Sequence, residues 1–221
     1  MILNFSIKEE GFEVFNINKN KFYTNKQKIF NKILKKLPND YQFLDYEYKI
    51  INSTLYTFHR DVTSSQYYQK LLYPSYTVII YFTETNNKLI NICPNSNKQT
   101  FFISDPITIY GRKHGGGRAI LFNADIVHAG AINETSERLA FQYKICHKDD
   151  INKLKHLNGQ YIEKKNKIRN FTLSDKIIAF LSHKTILLFD TEIGKILEFK
   201  TNNFIINMIS KLISIDFYNN S

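Results

Sequence analysis

Between Tyr41 and Cys146 the chain is a succession of short β-prone runs, and this constrains the fold more than any other feature. The runs are Tyr76–Phe82 (YTVIIYF), Leu89–Cys93, Thr100–Ser104, Ile107–Tyr110, Ala119–Phe122 and Leu139–Ile145. Turn-forming residues separate them at intervals of about eight to twelve residues, the spacing of an all-β sandwich or barrel. Tyr76–Phe82 is apolar on both faces, so it is expected inside a sheet covered on both sides. Tyr41–Phe58, rich in Tyr, Phe, Ile and Leu, reads as one or two strands running directly into His59. With 221 residues and 43% hydrophobic content, the chain can bury one sizeable core. A mainly β fold with flanking helices, built as a jelly roll, follows.

Chemistry concentrates in two pieces. The stretch from Ala119 to Lys144 consists of two apolar runs joined by a polar bridge that carries His128, Gly130, Asn133 and Arg138. His128 stands where the first run ends, and Arg138 where the second begins. Upstream lies His59-Arg60-Asp61. In a strand, residues i and i+2 share a face, so His59 and Asp61 can serve one site while Arg60 points away. Two imidazoles and one carboxylate are the ligand set of non-haem Fe(II) oxygenases, because they occupy one face of an octahedral ion and leave the other open.

Three motifs, His-x-Asp at 59–61, LFNADIVHAG ending at Gly130, and the Asn-x-x-Ser-x-Arg run from Asn133 to Arg138, resemble the Fe(II)- and 2-oxoglutarate-dependent dioxygenases, most nearly their phytanoyl-CoA dioxygenase-like branch. The resemblance covers residues 50–146. It implies a double-stranded β-helix, cupin-like, with His59, Asp61 and His128 as metal ligands and Fe(II), 2-oxoglutarate and O2 as cofactor and co-substrates. It also implies that Arg138, ten positions after His128, meets the distal carboxylate of 2-oxoglutarate through its guanidinium fork. The alternative for Arg138 is a surface ion pair with Glu134 or Glu137. Many relatives carry a hydroxyl residue two positions after this arginine, where this chain has Ala140; Thr77, Tyr81 and Gln142 are the substitutes to consider. Relatives that halogenate lack the carboxylate found here at Asp61, so hydroxylation, or an oxidation that begins the same way, is the expected outcome. The substrate is open, and the rival readings are a jelly-roll binding module without turnover and a basic nucleic-acid-binding protein.

The remainder frames this core. Apolar residues from Thr24 or Asn25 to Leu37 recur at helical spacing, with lysines opposite and Pro38 as a stop, which predicts a helix packed by its apolar stripe against the sheet. Val62–Leu72 is expected as a loop or short helix over the site, a candidate lid. Gly111–Arg118, the glycine cluster, leads into a strand and so reads as a hairpin connection rather than a phosphate loop. After Cys146, residues 147–169 read as a connector or a frayed helix, Thr172–Ser182 as a helix capped by Ser174, Ile186–Phe189 and Ile196–Phe199 as a hairpin, and Phe204–Ile213 as a helix. The resulting division is 1–40 as lead-in and buttress, 41–146 as catalytic core and 147–221 as an extension within one domain.

Thirty Lys and Arg against twenty Asp and Glu give a net charge of +10, which favours anionic partners. The lysines are scattered, however, and the Asn, Ile and Lys enrichment is what AT-rich coding produces. Cys93 and Cys146 lack metal-site spacing and read as free thiols of a reducing, intracellular compartment. No signal peptide or membrane-spanning run is apparent. His114, His147, His156 and His183 are assigned no role.

Overall fold

The computed structural model describes residues 5–18, 21–82, 87–98, 103–112 and 116–189. Seven strands form the larger sheet: β1 (Phe12–Asn18), β2 (Tyr41–Phe43), β3 (Tyr46–Ile51), β4 (Tyr76–Tyr81), β7 (Gly116–Asn123), β9 (Leu139–His147) and β10 (Gln160–Lys165). Their order is β1-β7-β4-β9-β3-β10, with β2 also paired to β9. Three strands, β5 (Lys88–Ile92), β6 (Ile107–Tyr110) and β8 (His128–Gly130), make the smaller sheet in the order β6-β5-β8. The result is the mainly β, double-sheet jelly-roll architecture expected.

Period-two alternation along the central strands explains how one sheet serves two cores. Val78, Ile80, Ala119, Leu121, Phe141, Tyr143 and Ile145 face outward, onto Phe30 and Ile33 of helix α1 (Lys26–Leu34). Ile79, Tyr81, Ile120, Phe122 and Ala140 face inward, onto Leu89, Ile90, Ile92 and Ile109 of the smaller sheet. Helix α1 is shorter than its apolar pattern; the chain continues to Leu37 through turn hydrogen bonds from Lys36 N–H and Leu37 N–H before Pro38. Among the described residues, no helix is long and apolar enough to cross a membrane.

Several expectations are corrected. β3 ends at Ile51, and Asn52, at φ 53°, turns the chain out of the larger sheet. Residues 52–58 are irregular, and His59 enters only a single bridge with His128 at the rim of the smaller sheet. Phe58 drives this crossing by packing with Cys93, Val127 and Ala129. The glycine-rich connection joins β6 and β7, which belong to different sheets, so it is a crossover and not a hairpin; its residues 113–115 lie outside the described residues. Loop 62–72 contains a π-helical turn, Ser65–Gln69, and it does not hang free. The buried Asp125 carboxylate accepts hydrogen bonds from the Ser64 hydroxyl, the Ser65 hydroxyl and Gln66 N–H.

Downstream, a 3-10 segment (Lys148–Leu157) leads to β10, which adds parallel to β3. Helix α2 (Leu173–Phe189) absorbs residues 186–189, so that half of the expected hairpin is helical. Its cap is Thr172, not Ser174: the Thr172 hydroxyl accepts from Asp175 N–H, and the Asp175 carboxylate accepts from Thr172 N–H at 2.8 Å, a reciprocal capping arrangement. The expected strand at 196–199 and helix at 204–213 lie outside the described residues, as does most of the expected strand at 100–104.

Candidate active site

The bridge at His59 fixes the first half of the site. His59 N–H donates to His128 O and His128 N–H to His59 O, both at 3.0 Å, so the two residues form a directly opposed antiparallel pair. Their side chains lie together, with ring centroids 4.4 Å apart. In each ring Nδ1 faces the carbonyl two residues earlier, Thr57 O at 2.9 Å and Ile126 O at 3.0 Å. A proton on Nδ1 satisfies that carbonyl and leaves the Nε2 lone pair available, the form in which imidazole binds a metal. Burial pushes both imidazoles down; His128, with His59 beside it as the next cause, falls to about 3. Both are therefore neutral near pH 7.

Asp61 lies two residues on, with its N–H donating to Ala124 O at 3.0 Å. Its carboxylate is turned onto Lys144, whose Nζ is 2.6 Å from Oδ1. The Thr77 hydroxyl also donates to it, and Gln142 Nε2 stands 3.4 Å from both oxygens. Burial alone would raise this carboxyl, but the Lys144 ammonium, with His128 and Thr77, overcomes it and holds Asp61 well below the usual carboxylate range. Among the described residues no three His, Cys, Asp or Glu side chains are grouped to hold a metal ion. Thus the structure brings the two imidazoles together and commits the third expected ligand to a lysine.

Arg138 is buried and has no ion-pair partner among the described residues, so the surface pair with Glu134 or Glu137 does not form. Its Nη2 donates to Ala131 O at 2.8 Å, and the guanidinium carbon lies 5.5 Å from the centre of the Tyr81 ring. Gly130 explains how it fits. A Cβ built at Gly130 would stand 3.0 Å from Arg138 Nη1 and 2.7 Å from Thr54 Cγ2, so the guanidinium lies against β8 where only glycine leaves room. Gly130 and His128 share a face of β8, and two residues advance a strand by about 7 Å. The cation therefore lies one short step along the strand from the imidazole pair.

Register sorts the three substitutes proposed for the residue missing at Ala140. Thr77 pairs with Lys144, Ile79 with Gln142, and Tyr81 with Ala140. Thr77 and Gln142 accordingly belong to the Asp61 end, and only Tyr81 lies beside Arg138. Arg60, buried, points away as expected: its Nε donates to Asp125 O at 2.7 Å and its Nη2 to Ser96 O at 3.2 Å, tying the two segments behind the site together. Lys144 and Asp125 are the residues that sequence reasoning missed. The signal for Lys144 was parity, since it falls in register with Arg138, Ala140 and Gln142 along one face of a strand.

The two-imidazole half of the site suits a divalent transition metal. Two neutral imidazoles with backbone-fixed tautomers offer free Nε2 atoms, and a carboxylate lies two residues from one of them. Asp61 would join the set only by giving up Lys144.

No protein family and no curated protein sequence matches the chain. Among solved structures it is similar to EvdMO1, with a TM-score of 0.41 and 11% identity over 61% of this chain and 35% of that one. It is also similar to the non-haem monooxygenase ThoJ in its nickel complex, with a TM-score of 0.38 and 14% identity over 71% of this chain and 68% of that one. This chain thus spans about a third of the length of EvdMO1, and likeness this distant carries no argument about the reaction.

Proposed function

We propose that the protein is an Fe(II)- and 2-oxoglutarate-dependent oxygenase, a hydroxylase whose catalytic core is residues 41–146. One observation supports this above the others: a pair of neutral imidazoles, His128 buried and His59 half-buried, with free Nε2 atoms lies one step along β8 from a buried guanidinium that no carboxylate of the described residues neutralises. A fixed interior cation of this kind calls for an anion from outside. A dicarboxylate would answer both, held at one end by metal and at the other by the guanidinium fork.

In this reading His59, His128 and Asp61 would hold Fe(II), and the metal would supply O2 activation coupled to oxidative decarboxylation of 2-oxoglutarate. The protein binds and orients. Arg138 fixes the distal carboxylate through paired hydrogen bonds. Tyr81 backs the guanidinium, while Phe122, whose ring centroid is 4.5 Å from that of His128, walls off water on that side.

A binding module that takes an anion on Arg138 without turnover is the second reading. The Asp61–Lys144 pair favours it, because it removes the third ligand from play. Anaerobic titration with Fe(II) and 2-oxoglutarate separates the two. A metal-to-ligand charge-transfer band that requires both additions supports the oxygenase, and its absence at saturating Fe(II) and 2-oxoglutarate removes it.

A further inference from the structure

Lys144 is a buried charged group, in direct contact with the candidate ligand Asp61, that the proposed reaction leaves without a task. Its side chain is 1% exposed and that of Asp61 2%. Its Nζ also donates to the Thr77 hydroxyl at 3.1 Å, and that hydroxyl donates onward to Asp61. The three groups form a closed triangle, with Thr77 and Lys144 opposed in register on β4 and β9. Gln142, two residues before Lys144, completes the ring around the carboxylate.

We propose that Lys144 is the resident counter-ion of the site and sets its affinity for a divalent cation, so that metal binding is an exchange of ammonium for metal at Asp61. This rests on the reading of His59, Asp61 and His128 as the metal-ligand set. Asp61 is the one carboxylate in that set and so the one negative charge it offers a cation. Lys144 beside it offsets that charge. Two cations against one buried carboxylate repel strongly where the dielectric is low. Metal entry must therefore move the ammonium back, and Thr77 gives it an oxygen to keep. Ions that rely chiefly on carboxylate oxygens lose most from this arrangement, whereas ions that bind imidazole well lose least.

The test is calorimetric titration of the full chain with Mn2+, comparing the parent with Lys144→Met, Lys144→Gln and Lys144→Arg. Removing the charge should tighten Mn2+ binding by about tenfold or more, and Lys144→Arg should bind as the parent does. Mn2+ should also raise the melting temperature of Lys144→Met by more than that of the parent, because metal then supplies the missing partner of Asp61. If Lys144→Met does not fold, Lys144→Gln carries the comparison, since its amide still donates to Asp61. Binding by the neutral variants alone supports the proposal. Neutral variants that bind no tighter than a metal-binding parent, or an equal gain in Lys144→Arg, overturn it and leave the metal reading standing. Failure of all four proteins to take Mn2+ removes the metal reading and this proposal together.

Discussion

The two ends of the interior are held by different means. At the imidazole end, tautomer and orientation come from main-chain carbonyls, Thr57 O and Ile126 O, which no side-chain substitution removes. At the Asp61 end, every fixing contact on the carboxylate comes from a side chain, from Lys144, Thr77 and Gln142. The first half of the site is preorganised by backbone and the second by an ion pair that a competing cation can replace. A site built this way separates the geometry of its ligands from the control of its charge.

The sharpest way to break this contrast is to remove an imidazole. His128→Ala should abolish substrate-dependent succinate release while the protein still folds, as read by coupled turnover and circular dichroism; a variant with full turnover would refute the assignment. Next in size is the ion pair. Lys144→Ala, which leaves Asp61 buried and uncompensated, should cost about 3–5 kcal/mol in urea unfolding without metal. Replacing both partners, as in Asp61→Leu with Lys144→Met, should cost much less, and equal losses would mean that the pair is not the stabilising unit. Arg138→Lys keeps the charge and loses the fork, so 2-oxoglutarate should bind about ten- to a hundredfold more weakly in the charge-transfer titration. Gly130→Ala should push on Arg138 and Thr54, lowering stability by about 1–3 kcal/mol and weakening 2-oxoglutarate binding more than Fe(II) binding.

A separate effect lies in the pH dependence. His128 is neutral in the folded state down to about 3, while its unfolded counterpart takes up a proton near 6.5. Between these values the unfolded chain binds more protons, so stability should be flat above 6.5 and fall as pH drops from 6.5 toward 3. Unfolding midpoints at pH 7.5 and 5 check this, and a His128→Gln variant should flatten that limb.

Sequence pattern conveyed the strands of the core well, because β4 and β9 are long apolar runs whose burial dictates their state. It failed where local composition and tertiary role part company. β10 reads as a connector because Gln160–Lys165 is mostly exposed and polar; it is a strand only because β3 offers an edge to pair with, helped by Lys49 and Glu163 at 2.7 Å. The strand expected before His59 failed at Asn52, where a single left-handed residue redirects the chain between sheets. At the site, His59, Asp61, His128 and Arg138 stood out by residue type and spacing. Lys144 did not, since a lysine on a basic chain looks like surface until its parity along β9 is counted. Nor did Thr77 and Gln142 reveal which end they serve, because that depends on cross-strand register.

His59 is joined to its sheet by a single rung. If that rung opens, the two imidazoles part while both sheets remain intact, so the integrity of the centre is decoupled from global unfolding. Amide exchange at His59 should then run far ahead of exchange in β4 and β9, and any ion that bridges the imidazoles should act as a clasp, slowing that one amide more than its neighbours.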